Sequence, residues 1–444
     1  MDAANRRTNA ERDGTGADDT RDGWRIRTKY DWIFENVSYL TIIQPGDLDR
    51  LLVEMRRSPW VALDTEFISE GRYEPELCLI QVAMEDRLAL IDPLSVGALE
   101  PFWETLCDDV GEVIVHACRS EMEFCFRSLG RIPGEFFDVQ LAAGFVGIDF
   151  PSGFRTLLDR LLRLDLAKAE ARTDWRKRPL SRLQIEYALG DVRHLRTMTN
   201  KLRRRLKELR RLDWYYEENA LIADRLERDF RTPRWRNTPK SANLKPRELA
   251  VVRELWMLRD RIAKRNNQVP NRILRDDLIV ELARKGSADP KRIASIRGLP
   301  GGTRLFDEIV EAVSRAFELA PTEWPRPSER HSYPQYAVTV QFLFAALGLL
   351  CKQEGIALGL VGGPSDVREL VASSFGTLPK GITPRLTRGW RAELVGDLLD
   401  DLLHGKTAMR LLREDIEKPL EFIRLESFDE GRGEGGVGAG SARR

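Results

Sequence analysis

Four apolar runs lie close together between Trp60 and Ala117: WVALDTEF, LCLIQVAM, RLALID and VIVHA. Each is short and rich in aliphatic residues, which is the signature of strands rather than of helices long enough to cross a core. RLALID follows LCLIQVAM so closely that the two read as a hairpin, and VIVHA comes after a short helical stretch. From Ser120 to about Leu209 the apolar period turns helical. Strands followed by interleaved helices predict an α/β domain of roughly 190 residues.

That domain uses less than half of a 444-residue chain, and domains of ~100–200 residues leave room for more. Residues 1–23 and the tail 431–444 are rich in Gly and charge and are expected to be disordered. The α/β domain is placed at 28–215 and a basic, proline-bearing linker at 216–244. Helical patterns then fill 245–320 and 332–425, separated by Pro and Gly turns such as SIRGLPGG, with a helix predicted from about Thr303 to Leu319.

Charge decides little at the level of the whole chain. Lys plus Arg number 71 against 70 Asp plus Glu, a net +1, so any basic surface is local. KLRRRLKELRRL (201–212) and the stretch from Glu227 to Arg247 are the local candidates. The second interleaves Arg228, Arg231, Arg234, Arg236, Lys240 and Lys245 with Phe230 and Trp235. That pattern suits single-stranded nucleic acid and equally suits a solvated helix face followed by a stiff connector. No run of ~18 uninterrupted apolar residues predicts a membrane span, and no apolar segment near Met1 reads as a secretory signal, so a cytoplasmic protein is expected. The five cysteines have no C-x-x-C pair and the four histidines are far apart in sequence, which argues against a disulfide framework and a zinc site.

Carboxylates are therefore the place to look for chemistry. Asp64 and Glu66 stand at i and i+2 in VALDTEF, so on a strand both point to one face while Leu63, Thr65 and Phe67 point to the other. Two like charges inside an apolar strand are costly without a cation between them, and hard oxygen donors favour Mg²⁺ or Mn²⁺. The pair alone is weak, since about eleven acid-x-acid pairs arise by chance at this acidic fraction. In SRLQIEYALGDVRHL, Ser181 and Gln184 form a capping-box pattern, and Tyr187 and Asp191 lie one turn apart at the margin of the apolar stripe. In isolation they read equally as a half-buried Tyr and a surface Asp. After VIVHA, Glu121 and Glu123 fall in the first turn of a helix, near a strand end, where they also serve as ordinary dipole partners.

Taken in order, these elements resemble the ribonuclease D family, the DEDD 3′-5′ exonucleases with a tyrosine in their third motif. ALDTEF with YEPELCLIQVA (73–83) and LALIDPL (88–94) is similar to the first motif, and VIVHACRSEME with FDVQLAA (137–143) to the second. ARTDWRKRPLSRLQIEYALGDVRHL (171–195) is similar to the third. The match covers roughly residues 60–200. It implies an RNase H-like fold, a mixed sheet of about five strands flanked by helices. It also implies two small all-helical HRDC-like domains at 245–320 and 332–425, which bind nucleic acid.

The resemblance further implies two divalent ions, Mg²⁺ or Mn²⁺, held by Asp64, Glu66, Glu121 and Asp191. Asp64 would bridge them, and Tyr187 would orient the attacking water. Lys168 and Arg172, just before the DW pair, are expected phosphate contacts, while His116 has no assigned role. The expected substrate is the single-stranded 3′ end of RNA, such as that of a structured transfer-RNA precursor. In the family register an aspartate stands where this chain has Glu121, with one more methylene; Glu123 is the fallback but sits out of register. The competing readings are a Werner-type DNA 3′-5′ exonuclease on the same fold, and a non-catalytic nucleic-acid-binding protein with a drifted second motif.

Overall fold

A computed structural model of the chain describes residues 38–164, 173–299, 303–327, 333–412 and 419–425. The two tails expected to be disordered, Lys168, Arg172 and part of the SIRGLPGG turn lie outside the described residues.

Six strands form one mixed sheet in the order β1-β4-β3-β2-β5-β6. They are β1 (Tyr39–Ile42), β2 (Val61–Ile68), β3 (Glu76–Met84), β4 (Arg87–Ile91), β5 (Val113–Val115) and β6 (Phe136–Asp138). The expected hairpin is β3–β4, with Met84 opposite Arg87. β2 runs antiparallel to β3 and parallel to β5, so WVALDTEF lies mid-sheet. One strand more than the expected five is present. The four-residue β1 lies upstream of the strand-dense stretch, and the three residues of β6 are too few to show a period of two.

Being central, β2 is buried on both sides. Val61 and Leu63 pack with Phe102, Met122 and Cys125 on one face, while Ala62 packs with Phe137, Val192 and Leu195 on the other. The helix Arg119–Leu129 covers the first face and the helix Arg182–Arg193 contacts β2, β3 and β4. Each brings one of the sequence motifs to the central strand.

The segment 216–244 is not a linker from its start. A helix Leu212–Arg231 runs through its first half and buries Tyr215, Glu218, Asn219 and Leu226. Its arginines drew attention away from the apolar positions Ile222, Leu226 and Phe230, spaced four apart. In the second half Trp235 is buried in the core of the next domain, with the Arg236 guanidinium 4.4 Å from its ring centre. The basic residues before it are engaged only in part, since Lys201, Arg204, Arg205, Lys207 and Arg210 are exposed. Arg196 and Arg203 both pair with Glu112 and lie over Trp60 and Phe137, and Arg211 donates to the carbonyls of Phe145, Glu354 and Gly355. For these residues the structural reading prevails over phosphate binding.

Helices Pro246–Asn266, Asp276–Lys285 and Arg304–Glu318 share a core of Leu249, Leu255, Ile279, Ile309 and Val313. This bundle touches the turn after β2: Asn267 Oδ1 accepts the amides of Tyr73 and Glu74 at 3.1 Å each, and the Tyr73 hydroxyl donates to Asp260 at 2.8 Å. The second helical unit has no separate core. Leu343, Leu347 and Trp390 pack with Phe145 and Leu157 of the α/β domain. Nor is it all-helical, because β7 (Thr407–Leu411) and β8 (Leu420–Arg424) pair antiparallel; strands of five residues leave little trace in sequence. The segment Pro334–Glu354 is long and apolar enough to cross a membrane by length and composition, but its Val340, Leu343, Ala346 and Leu347 are buried in the shared core.

Candidate active site

β2 supplies Asp64 and Glu66 on one face, as the alternation requires. The helix Arg182–Arg193 supplies Tyr187 and Asp191, starting from a capping box in which Ser181 and Gln184 satisfy each other's backbone amides. One oxygen each from Asp64, Glu66 and Asp191 lies within 4.8 Å of the others. Tyr187 hydrogen-bonds Asp191.

The electrostatics of this group are unfavourable as it stands. Burial pushes Asp64 up to about 7 and Asp191, with the charge of Asp64 added, up to about 8. Glu66 rises to about 9, from burial first and then from Asp64, Asp191 and Glu121. Burial and its acidic neighbours likewise raise the Tyr187 phenol above its free value. Three carboxylates converging in a partly dry site fit a divalent cation, which would replace the missing counter-charge.

Glu121 approaches from the other side of β2. Its carboxylate is buried and accepts from Thr65 Oγ1 at 2.6 Å, and Thr65 belongs to the face opposite Asp64 and Glu66. Burial and then the charge of Asp64 push Glu121 up to about 8. The structure thus joins three of the four expected carboxylates and holds the fourth in reserve on a threonine hydroxyl. Glu123 turns away to pair with Arg127 at 2.8 Å. His116 Nε2 meets the Ser152 carbonyl at 3.0 Å, a structural contact.

Two positioning residues escaped the sequence reading. Asp138, at the end of β6, accepts the amides of Ala117 and Cys118 at 3.0 and 3.1 Å. Ala117 has φ +58, a conformation costly for a residue with a Cβ, so Asp138 pins the turn that starts the Glu121 helix. An Asp directly before an apolar helix was the available signal. Arg178 makes a two-pronged pair with Asp92 (2.6 and 2.8 Å) and donates to the carbonyls of Cys78 and Trp175. It thereby fastens the loop after the undescribed 165–172 stretch to the sheet. Trp175, 2% exposed, then packs 6.0 Å from the Tyr187 ring. Nothing in RKRPL distinguishes this arginine from its exposed neighbours.

Comparison with known proteins places this geometry. Residues 39–207 match the 3′-5′ exonuclease family and residues 248–306 match the HRDC domain. The ribonuclease D of Nitrobacter hamburgensis is 30% identical over 374 residues, covering 83% of this chain and 96% of that protein. The chain belongs to the ribonuclease D family. The ribonuclease D of Gluconacetobacter diazotrophicus is 34% identical over 358 residues, 79% of this chain and 89% of that protein. The solved structure of Escherichia coli RNase D, described as an exoribonuclease involved in structured RNA processing, superposes with a TM-score of 0.70 at 28% identity. It spans 83% of this chain and 99% of that one. The family's 3′-5′ exonucleases are hydrolases that depend on divalent metal, in keeping with the acidic cluster.

The raised carboxylates make a measurable prediction. Unfolded, these groups titrate near 4; folded, they hold protons up to about pH 7–9. Between those limits the folded state binds more protons than the unfolded one, so chelated protein should lose stability as pH rises from 5 to 8.5. Saturating Mn²⁺ should raise the melting temperature by several degrees at pH 8 and by much less at pH 5. A shift equal at both values would show that the ion binds elsewhere.

Proposed function

We propose that this protein is a 3′-5′ exoribonuclease that removes nucleoside 5′-monophosphates from the single-stranded 3′ ends of structured RNA precursors such as transfer RNA, in the cytoplasm. The observation that carries the reading is the convergence of Asp64, Glu66 and Asp191 beside Tyr187 in a chain of this family. The names of the relatives favour RNA over the DNA exonuclease reading. Convergence of Asp64, Glu66 and Asp191 with Tyr187 weighs against a binding-only shell. Five free thiols suit a reducing compartment.

Asp64, Glu66 and Asp191 would hold one divalent ion, Mg²⁺ or Mn²⁺. Asp64 would also help to hold a second, together with Glu121. When bound, such ions lower the pKa of water and stabilise the leaving 3′-oxygen. The chain's own residues do the placing. Tyr187 keeps its proton across the working pH range, so it orients a water or a phosphate oxygen and does not deprotonate it. Asp138 fixes the Glu121 turn, and Arg178 with Trp175 fixes the wall behind Tyr187. Lys168 and Arg172 would meet the RNA phosphates.

The test is incubation of the purified chain with 3′-extended RNA and with DNA of the same sequence, in Mg²⁺, Mn²⁺ or chelator, with products resolved to the nucleotide. A ladder shortening from the 3′ end of RNA in metal alone is expected. Faster trimming of the DNA would hand the site to the rival enzyme reading.

A further inference from the structure

The helix that carries Glu121 also carries a thiol that touches another thiol. Cys125 Sγ lies 3.5 Å from Cys107 Sγ, the first on Arg119–Leu129 and the second on Glu100–Asp108. Cys107 is half-buried, Cys125 is buried, and all five cysteines are free. Cys78, Cys118 and Cys351 make no sulfur–sulfur contact among the described residues. We propose that Cys107 and Cys125 are a modification site, closing into a reversible disulfide when the protein meets a peroxide, and that closure slows the enzyme by moving Glu121.

The chemistry balances with hydrogen peroxide as the two-electron oxidant. Cys107, the more accessible of the two, attacks one peroxide oxygen and releases water, becoming a sulfenic acid. Cys125 then attacks that sulfur, forming the S–S bond while its proton leaves with the hydroxyl as a second water. Cys107 suits the first step, because contact with the Cys125 thiol and then the nearby Arg131 charge lower its pKa. Cys125 is already oriented, with its sulfur also 3.4 Å from the Arg131 carbonyl.

Closing the pair brings the sulfurs from 3.5 Å to about 2.05 Å, a contraction of about 1.5 Å. Cys125 follows Glu121 by one helical turn, on the same buried face. The two helices meet in a dense core of Phe102, Leu106 and Met122, where strain is transmitted rather than absorbed. The movement therefore reaches Glu121, held on Thr65 at 2.6 Å, and a ~1 Å misplacement of a catalytic group costs on the order of a hundredfold. Reduction of the disulfide restores the start. The loss of activity rests on the exonuclease reading, whereas the cross-link does not.

The experiment treats the full chain with hydrogen peroxide, quenches it, and measures free thiols, non-reduced peptide mass and RNA trimming in parallel. Expected are a fall from five titratable thiols to three, a peptide pair joining Cys107 to Cys125, and trimming slowed at least tenfold and recovered with dithiothreitol. Cys107→Ser and, as a second variant, Cys107→Ala should trim at the untreated rate and ignore peroxide. Five thiols remaining, or a cross-link through Cys118, would overturn the site. A cross-linked protein trimming at full speed would overturn the control of Glu121. An untreated protein that trims nothing, yet still forms the cross-link, would count against the exonuclease reading and not against the thiol pair.

Discussion

Asp64→Asn should lower metal-dependent release of mononucleotides from an RNA 3′ end by on the order of a thousandfold or more. Loss of a single preorganised electrostatic contact already costs about a hundred- to a thousandfold, and Asp64 is the central charge of the site. Its own charge contributes to the raised state of Glu66, Glu121 and Asp191. The substitution keeps the size of the side chain and leaves strand pairing opposite Gln81 unaffected. It also removes one of several mutually repelling groups. The metal-free variant should therefore melt no lower than the native chain and should lose its Mn²⁺ stabilisation. Activity and stability thus move in different directions, which separates a lost ligand from a broken fold. Unchanged turnover would refute the site.

The legibility of this molecule follows the length over which each pattern repeats. β2 and β3 declare themselves because eight and nine residues carry several periods of two, and the Tyr187 helix declares itself through a capping box and an apolar stripe. Alternation on the strand and the turn of the helix each fix a face, and the resemblance to the ribonuclease D family joined Asp64, Glu66 and Asp191 in one site. Glu121 was identified by register, but sequence could not show that its carboxylate rests on Thr65, a residue that alternation had assigned to the far face. Asp138 and Arg178 act by tertiary contact with segments 20 and 86 residues away, and no local pattern encodes a partner at that distance. The helix Leu212–Arg231 was legible only as a solvated face for the opposite reason: its abundant charge hides that Glu218 points inward.

Glu218→Ala should cost about 3–5 kcal/mol, the price of leaving a buried guanidinium without its partner. Glu218 lies on the helix Leu212–Arg231 and meets Arg391 of the second helical unit through two bonds of 2.6 and 2.9 Å, with the two side chains 5% and 3% exposed. Trp390 Nε1 donates at 2.9 Å and Arg385 at 3.2 Å to the same carboxylate. Burial pushes the Glu218 carboxyl up, but the bonds and charge of Arg391 overcome it and hold the group below its usual range. Its stabilisation is consequently present above the unfolded value near 4.5 and is lost as pH falls through the lower folded value. Urea unfolding at pH 7 should show the full deficit in the variant, and the gap should narrow under acid. Glu218→Leu combined with Arg391→Met should recover only part of it, since apolar groups replace the ion pair while Trp390 Nε1 and the Leu360 and Val361 carbonyls lose their partners. A single-variant cost below about 1 kcal/mol would contradict the pair's role. The same helix supports the active site from behind: the Tyr215 hydroxyl accepts the Asp138 amide at 2.8 Å and Asn219 donates to the Phe136 carbonyl at 2.9 Å. Undocking at Glu218 should therefore loosen β6, the Asp138 clamp and the Glu121 turn in sequence. Trimming by Glu218→Ala should fall below the native rate at temperatures where the protein is still folded.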